Sequence, residues 1–166
     1  METVKLSSSY EVRELTDSDI DAVYELCKRN DLYYRYCPPY VTKDGICEDM
    51  KALPPGKQKK DKYYIGFYDN NSLIAVMDLI SGFPDEQTAY IGFFMTDLSV
   101  QKKGTGTKII SELCDELARN GFSFVKLGWV KGNPQAEHFW KKNGFVETGA
   151  EKTTEDYTVT VAQRIL

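Results

Sequence analysis

Residues 101–107 have the composition of a loop that binds phosphate. They lie between an apolar stretch that ends near Thr96 and an amphipathic stretch that begins at Lys108. Glycine lets the backbone approach a ligand closely, and the unpaired N–H groups at the start of a helix attract anions. We therefore predict a polyanionic cofactor on Gln101, Lys102, Lys103, Gly104, Thr105, Gly106 and Thr107. The alternative is an ordinary start of a helix, in which the glycines serve only the turn.

Two better-known glycine loops are excluded here. A Walker A loop needs four residues between its first glycine and a Gly-Lys-Ser/Thr triplet, and the chain has no such run. A dinucleotide fingerprint needs a third glycine three residues after the second, but that position is Ile109. The loop must therefore belong to another class of phosphate site if it binds phosphate at all.

A second segment, residues 133–145, reads Asn-Pro-Gln-Ala-Glu-His-Phe-Trp-Lys-Lys-Asn-Gly-Phe. Together the two segments resemble the Gcn5-related N-acetyltransferase (GNAT) superfamily. The family's phosphate loop has the form Gln/Arg-x-x-Gly-x-Gly/Ala, which Gln101, Gly104 and Gly106 match. Its later helix has the form Asn-x-x-Ala-x-x-hydrophobic-Tyr-x-Lys-x-Gly-Phe, and the chain departs from this form only at Trp140, where the family has tyrosine. The resemblance covers about residues 73–149.

The hydrophobic periodicity predicts alternating strands and helices along the whole chain. Strands are expected over 10–15, 62–68, 73–81, 88–96, 124–130, 145–149 and 157–165. Helices are expected from a cap at Thr16 to about Arg29, from Thr42 to Pro54, after the glycine loop, and after Asn133. This order predicts one α/β domain, residues 1–166, with a mixed, mostly antiparallel central sheet flanked by helices. The resemblance implies the same fold.

The amino-acid composition limits the kinds of partner and ligand that the chain is expected to bind. The net charge of −4 argues against nucleic acid or an anionic membrane surface as a partner. No apolar run approaches the ~20 residues that span a bilayer, so we expect no membrane and a cytoplasmic location. One histidine and four cysteines without a Cys-x-x-Cys spacing predict no metal site and reduced thiols.

The resemblance implies that acetyl-CoA lies in a V-shaped cleft between the strand before the glycine loop and the strand before the Asn133 helix. The backbone at Phe94, Met95 and Thr96 would run beside the pantetheine arm, with ordinary sheet pairing as the alternative. Asn133 would reach the pantetheine or the pyrophosphate, although Asn-Pro is also a good start for a helix. The predicted cofactor set also contains two residues of that helix, Phe139 and Trp140.

The implied reaction is direct attack of a primary amine on the thioester. Since an alkyl amine has a pKa of about 10.4, only roughly one molecule in a thousand is unprotonated at neutral pH, and a proton acceptor is needed. Asp78, inside the apolar run 75–80, is the first candidate for this base or for recognition of the amine, because an unpaired charge there is costly. The alternative is a carboxylate with a structural partner or in an outward-facing edge position. Glu86 is the second candidate. Tyr90 stands where several family members carry a glutamate, but a neutral tyrosine is a poor base.

Trp140 cannot replace the family's tyrosine as a proton donor to the departing thiolate, though its indole can donate a hydrogen bond. A thiolate with a pKa near 8.5 leaves without an acid. The acceptor is expected to be a small amine or a peptide, recognised by Tyr33, Tyr34 and Tyr36 unless these rings only pack. We keep a homodimer among the expected assemblies. The rival function is a non-catalytic acyl-CoA-binding or sensing module.

Overall fold

The structure is a computed structural model that describes residues 1–166. Its strands are β1 (Glu11–Glu14), β2 (Lys62–Asp69), β3 (Ser72–Ser81), β4 (Thr88–Thr96), β5 (Phe124–Val130), β6 (Val146–Thr153) and β7 (Thr158–Ile165). Its α-helices are α1 (Ile20–Cys27), α2 (Asp31–Tyr36), α3 (Lys43–Lys51), α4 (Thr105–Arg119) and α5 (Pro134–Lys142).

The seven strands form one sheet in the order β1-β2-β3-β4-β5-β7-β6. Every pair of neighbouring strands is antiparallel except β4 and β5, which are parallel. Consecutive antiparallel strands need only short turns, whereas the parallel pair is connected through α4, as a strand-helix-strand unit requires. The predicted α/β fold with a mixed, mostly antiparallel sheet is confirmed.

Helices cover both faces of the sheet. On one face, α4 buries its apolar stripe completely; Ile109, Leu113 and Leu117 are 0 % exposed. Their i, i+4, i+8 spacing places them on one side of the helix, against strand residues such as Phe67 and Met77. Each such buried side chain stabilises the fold by about 1.5–3 kcal/mol relative to an exposed one. The opposite face holds a second cluster, which α1 and α3 share with the sheet.

The parallel pairing of β4 with β5 is short. It joins Thr88–Ile91 to Phe124–Leu127 and then stops, although both strands continue. On the other edge of β4, Leu79 pairs with Ile91 while Asp78 pairs with Phe93, so Gly92 is the extra residue of a β-bulge. The two parallel strands therefore part immediately beside an irregular piece of backbone.

Most predicted elements agree with the structure to within one or two residues. Helix α2 is an addition, because the sequence analysis predicts no helix over residues 31–36. Strand β6 extends to Thr153, beyond the predicted 145–149. Its residues are all exposed and its register shifts between Glu147 and Glu151, so no buried alternation marks it in the sequence. No helix in the structure has both the length and the apolar character needed to cross a membrane.

Candidate active site

The glycine loop presents free backbone donors at the start of α4. The first hydrogen bond inside the helix runs from Lys108 N to Gly104 O at 2.9 Å, so the N–H groups of residues 105–107 precede it. No side chain caps this end of the helix. Gly104 has φ +83°, a left-handed conformation that favours glycine, and open space surrounds its Cα. The arrangement is suited to an anion such as the pyrophosphate of acetyl-CoA.

The other members of the loop differ in what they contact. Gly106 lies under α5, because a Cβ there would lie 3.1 Å from the Phe139 ring. Its small size therefore serves helix packing. The side chains of Lys102 and Lys103 are exposed and form no ion pair. They add long-range positive charge beside the free N–H groups.

Gln101 does not point at the candidate phosphate site. Its Nε2 donates to Asn30 Oδ1 at 2.7 Å and to the Thr96 carbonyl at 3.0 Å. The side chain thus holds the start of the loop against the end of β4 and the residue between α1 and α2. Its role in this geometry is to place the loop.

A cavity of about 180 Å³ lies where β4 and β5 part. None of its 16 lining residues is charged. Five of the residues that the sequence predicts for the site line it: Tyr33, Tyr90, Phe94, Asn133 and Trp140. Beyond Ile91, one edge of β4 pairs with β3 and the other faces this cavity without a strand partner. The backbone at Phe94 and Met95 therefore has one edge available to an extended ligand, whereas the Thr96 carbonyl already accepts from the side chains of Gln101 and Asn30.

Aromatic packing forms the wall of the cleft on the α5 side. Trp140 is 8 % exposed and packs edge-on against Phe139 and Phe145, at centroid distances of 4.9 and 5.2 Å. Phe94 stacks against Phe139 at 6.0 Å. Asn133, 5 % exposed, accepts a hydrogen bond from Ala136 N at 3.2 Å through Oδ1. It is therefore the N-cap of α5 as well as part of the lining.

The opposite end of the cleft contains phenols and a thiol. The Tyr33 ring packs edge-on against Phe93 at 5.7 Å, and burial raises the pKa of its phenol well above 10. Burial also raises the pKa of Tyr90. The neighbouring Cys37 thiol raises the pKa of Tyr157 to about 12. All three phenols stay protonated at neutral pH and can donate hydrogen bonds.

Tyr34 and Tyr36, the other predicted acceptor residues, do not line the cavity. Tyr34 packs against Tyr33 and Tyr40, at centroid distances of 5.0 and 4.9 Å, and supports the wall from behind. Tyr157 and Trp129, which the sequence analysis does not single out, do line it. Their only local sequence signal is aromatic character beside a turn or within a strand. Pairing of β5 with β7 brings them to the cleft.

Asp78 lies behind the bulge. Its Oδ2 is 2.8 Å from Lys62 Nζ, and the two side chains are 17 % and 5 % exposed. Oδ1 is buried and has no hydrogen-bond partner. Burial raises the pKa of this carboxyl above its usual value, and Lys62 offsets part of the rise. A Cβ at Gly92 would lie 3.1 Å from Oδ2. The carboxylate therefore lies directly behind the bulge, and it has room there because residue 92 has no side chain.

Glu86 lies apart from these groups. It is exposed in the turn between β3 and β4, does not line the cavity, and makes no ion pair or side-chain hydrogen bond. The structure thus brings Asp78 and Tyr90 to the region of the bulge and leaves Glu86 on the surface. No cluster of His, Cys, Asp and Glu side chains suited to a metal ion occurs in residues 1–166.

Comparison with known proteins agrees with this geometry. The model of the acetyltransferase (GNAT) family matches residues 21–145. A Salmonella typhimurium acetyl transferase that modifies the N-terminal serine of ribosomal protein L7/L12 has a similar structure, with 20 % identity, 99 % of each chain covered and a TM-score of 0.79. The AAC(6')-Ib structure in complex with acetyl-CoA has 18 % identity, coverage of 95 % of this chain and 94 % of that one, and a TM-score of 0.73.

A third similar structure is the PaiA N-acetyltransferase of Thermoplasma acidophilum in complex with coenzyme A. It has 16 % identity, coverage of 95 % of this chain and 99 % of that one, and a TM-score of 0.68. At such identities the likeness establishes the fold alone. Comparison with curated proteins gave no match. Because the family model spans residues 21–145 of the 166, this chain belongs to the acetyltransferase (GNAT) family and is an acetyltransferase.

Proposed function

We propose that this enzyme transfers the acetyl group of acetyl-CoA to a primary amine of a small molecule or a peptide. The observation that carries the proposal is the order of groups along β4. Tyrosines line the cavity at its bulge, its edge beyond Ile91 has no strand partner on the β5 side, and the free N–H groups of residues 105–107 follow its end. A cofactor with a pyrophosphate at one end and a thioester at the other fits this order of groups.

The loop and β4 would hold the cofactor. The pyrophosphate would accept hydrogen bonds from the N–H groups of Thr105, Gly106 and Thr107, and Lys102 and Lys103 would attract it. The pantetheine would lie along the free edge of β4 at Phe94 and Met95, up to Thr96, as an added strand does. The thioester would then lie at Gly92. Acetyl-CoA supplies the activated carbonyl carbon, and the protein supplies position and a proton acceptor.

We assign the proton acceptor to Asp78. The amine nitrogen attacks the carbonyl carbon, the carbon–sulfur bond breaks to release the CoA thiolate, and the amine proton passes through water to the carboxylate of Asp78, because its Oδ1 is buried and Asp78 does not line the cavity. Burial raises the pKa of this carboxyl, which makes it a stronger base than an exposed aspartate. Tyr90 keeps its proton and would orient the amine or the carbonyl oxygen by hydrogen bonding. Glu86 is exposed in a separate turn, so we prefer Asp78 to it as the proton acceptor.

The uncharged lining of the cleft favours certain acceptors. A polyamine or aminoglycoside carries several ammonium groups, each of which would need an acidic partner. None of the residues that line the cleft is charged, and the carboxylate of Asp78 lies behind Gly92 and is paired with Lys62. The α-amino group of a peptide has a pKa of about 7.7–8.0, so a far larger fraction of it is unprotonated at neutral pH than of an alkyl amine. We therefore favour a peptide amino terminus or a small monoamine.

The test is thiol release from acetyl-CoA with three acceptors. The first is a short peptide with a free amino terminus and no lysine, the second is a peptide of the same length that has an acetylated amino terminus and one lysine, and the third is spermidine. We expect the first to react fastest. Gly104→Glu should abolish CoA binding, because its carboxylate would face the phosphates, and Gly121→Glu is the matched control, since that glycine has a similar φ of +87° and the same open surroundings.

Saturable CoA binding without transfer to any amine in the wild type would support the non-catalytic module instead. Transfer that is unchanged in Asp78→Asn would refute the assignment of the base but leave the cofactor site standing.

A further inference from the structure

We infer that Asn30 is a positioning residue that couples the cofactor loop to the acceptor side of the cleft. Binding of acetyl-CoA would then order helix α2, which carries Tyr33, before the acceptor arrives. The inference rests on the proposed function, because it takes the glycine loop to be the cofactor site.

The side chain of Asn30 contacts three separate parts of the chain. It is 8 % exposed and lies between α1 and α2. Its Oδ1 accepts from Gln101 Nε2 at 2.7 Å. Its Nδ2 donates to the carbonyls of Leu26 at 3.1 Å and Thr96 at 3.4 Å. The Gln101 amide also donates to Thr96, so one carbonyl at the end of β4 joins both amides.

The backbone of Asn30 continues the connection into α2. Its carbonyl accepts from Tyr33 N at 3.1 Å, the first hydrogen bond of that helix. The Tyr33 ring then packs against Phe93 and lines the cleft. A short path of hydrogen bonds, Gln101 to Asn30 to Tyr33, thus connects the start of the phosphate loop to the acceptor wall.

Helix α2 is well suited to respond to such a connection. It has only six residues, too few to be stable alone, so its order depends on its contacts, among them the hydrogen bond to the Asn30 carbonyl and the packing of Tyr33 on Phe93. A ligand that immobilises residues 101–107 would reduce the motion of Gln101 and so of Asn30. The second ligand would then lose less conformational freedom on binding, which is positive coupling, and by linkage the acceptor would tighten CoA binding equally.

A second anchor allows the link to be broken without loss of the fold. Arg29 forms an ion pair with Asp97, which is 5 % exposed and accepts from Ser99 N at 2.8 Å. This pair joins the end of α1 to the end of β4 independently of Asn30. Asn30→Ala and Gln101→Ala should therefore fold, and a thermal melt of each checks this.

The experiment is hydrogen–deuterium exchange with and without saturating CoA. In the wild type we expect CoA to slow exchange at residues 102–108 and, on the order of five-fold, at residues 31–36. In Asn30→Ala and in Gln101→Ala, saturating CoA should still protect the loop but no longer protect α2. Asn120→Ala is the matched control, since its amide donates only within the last turn of α4, to Glu116.

Each outcome is informative. Protection of the loop without protection of α2 in the wild type would overturn the coupling and leave the cofactor site intact. Undiminished protection of α2 in both variants would overturn the role of Asn30. If CoA protects neither segment in the wild type, the proposed cofactor site itself is wrong, and the coupling fails with it.

Discussion

The substitution Lys62→Met tests the role assigned to Asp78. The ammonium lies 2.8 Å from Oδ2 and is almost excluded from water, so it lowers the pKa of the carboxyl against the effect of burial. At an effective dielectric constant of about 20, two charges 4 Å apart interact by about 4 kcal/mol, and each pKa unit corresponds to about 1.4 kcal/mol. Structural relaxation makes this an upper limit, and within it we expect the pKa of Asp78 to rise further when the lysine is removed.

The assay is the pH dependence of kcat/KM for thiol release. A base must be deprotonated to act, so the acid limb of the profile should move to higher pH in Lys62→Met, while the activity at the alkaline plateau changes little. Lys131→Met is the matched control, because it removes an exposed lysine paired with Glu151 at 2.6 Å, far from Asp78. If the profiles of Lys62→Met and wild type coincide, Asp78 is not the group that titrates in catalysis.

The same substitution has a consequence for stability whose sign follows from linkage. Since the folded-state pKa of Asp78 is raised, its stabilising contribution is complete below the unfolded pKa of about 3.9 and is lost as pH rises through the folded value. Lys62→Met raises the folded value further. Urea denaturation should therefore show a larger loss of unfolding free energy at pH 7 than at pH 4, with the interaction of about 4 kcal/mol as the upper limit of the difference. Asp49 contributes in the same direction, since Lys62 also lowers its pKa.

Three further substitutions test other parts of the structure. Gly92→Ala places a Cβ 3.1 Å from Asp78 Oδ2, and we expect a roughly ten-fold fall in kcat with a CoA Kd close to wild type; an unchanged kcat would contradict the position assigned to the base. Trp140→Tyr places a phenol at the cleft. We expect kcat to rise only if protonation of the leaving thiolate limits turnover. Comparison of kcat among acyl donors with different leaving groups reports whether it does. Asp19→Asn removes a carboxylate whose pKa is lowered, first of all by its hydrogen bond with Arg13. Its contribution to stability is present above the unfolded pKa and lost as pH falls, so denaturation curves of wild type and variant should converge below about pH 3.

Much of the fold is determined by local sequence. Alternation of apolar and polar residues, a cap at Thr16 and the Asn133-Pro134 pair indicate where strands and helices begin, because these features act over a few residues. The glycine loop is also determined by local sequence, because the left-handed Gly104 and the free N–H groups after it follow from residues 101–108 alone.

The chemistry of the site depends on contacts between distant residues. Nothing local to Asp78 indicates that Lys62 lies beside it, since their proximity comes from the register of β2 with β3. The bulge at Gly92 is likewise a property of two strands, because an extra residue is defined only against a partner. Tyr157 reaches the cleft through the pairing of β5 with β7, and Gln101 turns towards Asn30 because α1 ends there. Sequence thus determined the elements and the glycine loop through short-range forces, whereas only the tertiary structure decided which side chains meet at the cleft, because register and packing join residues that are far apart in the chain.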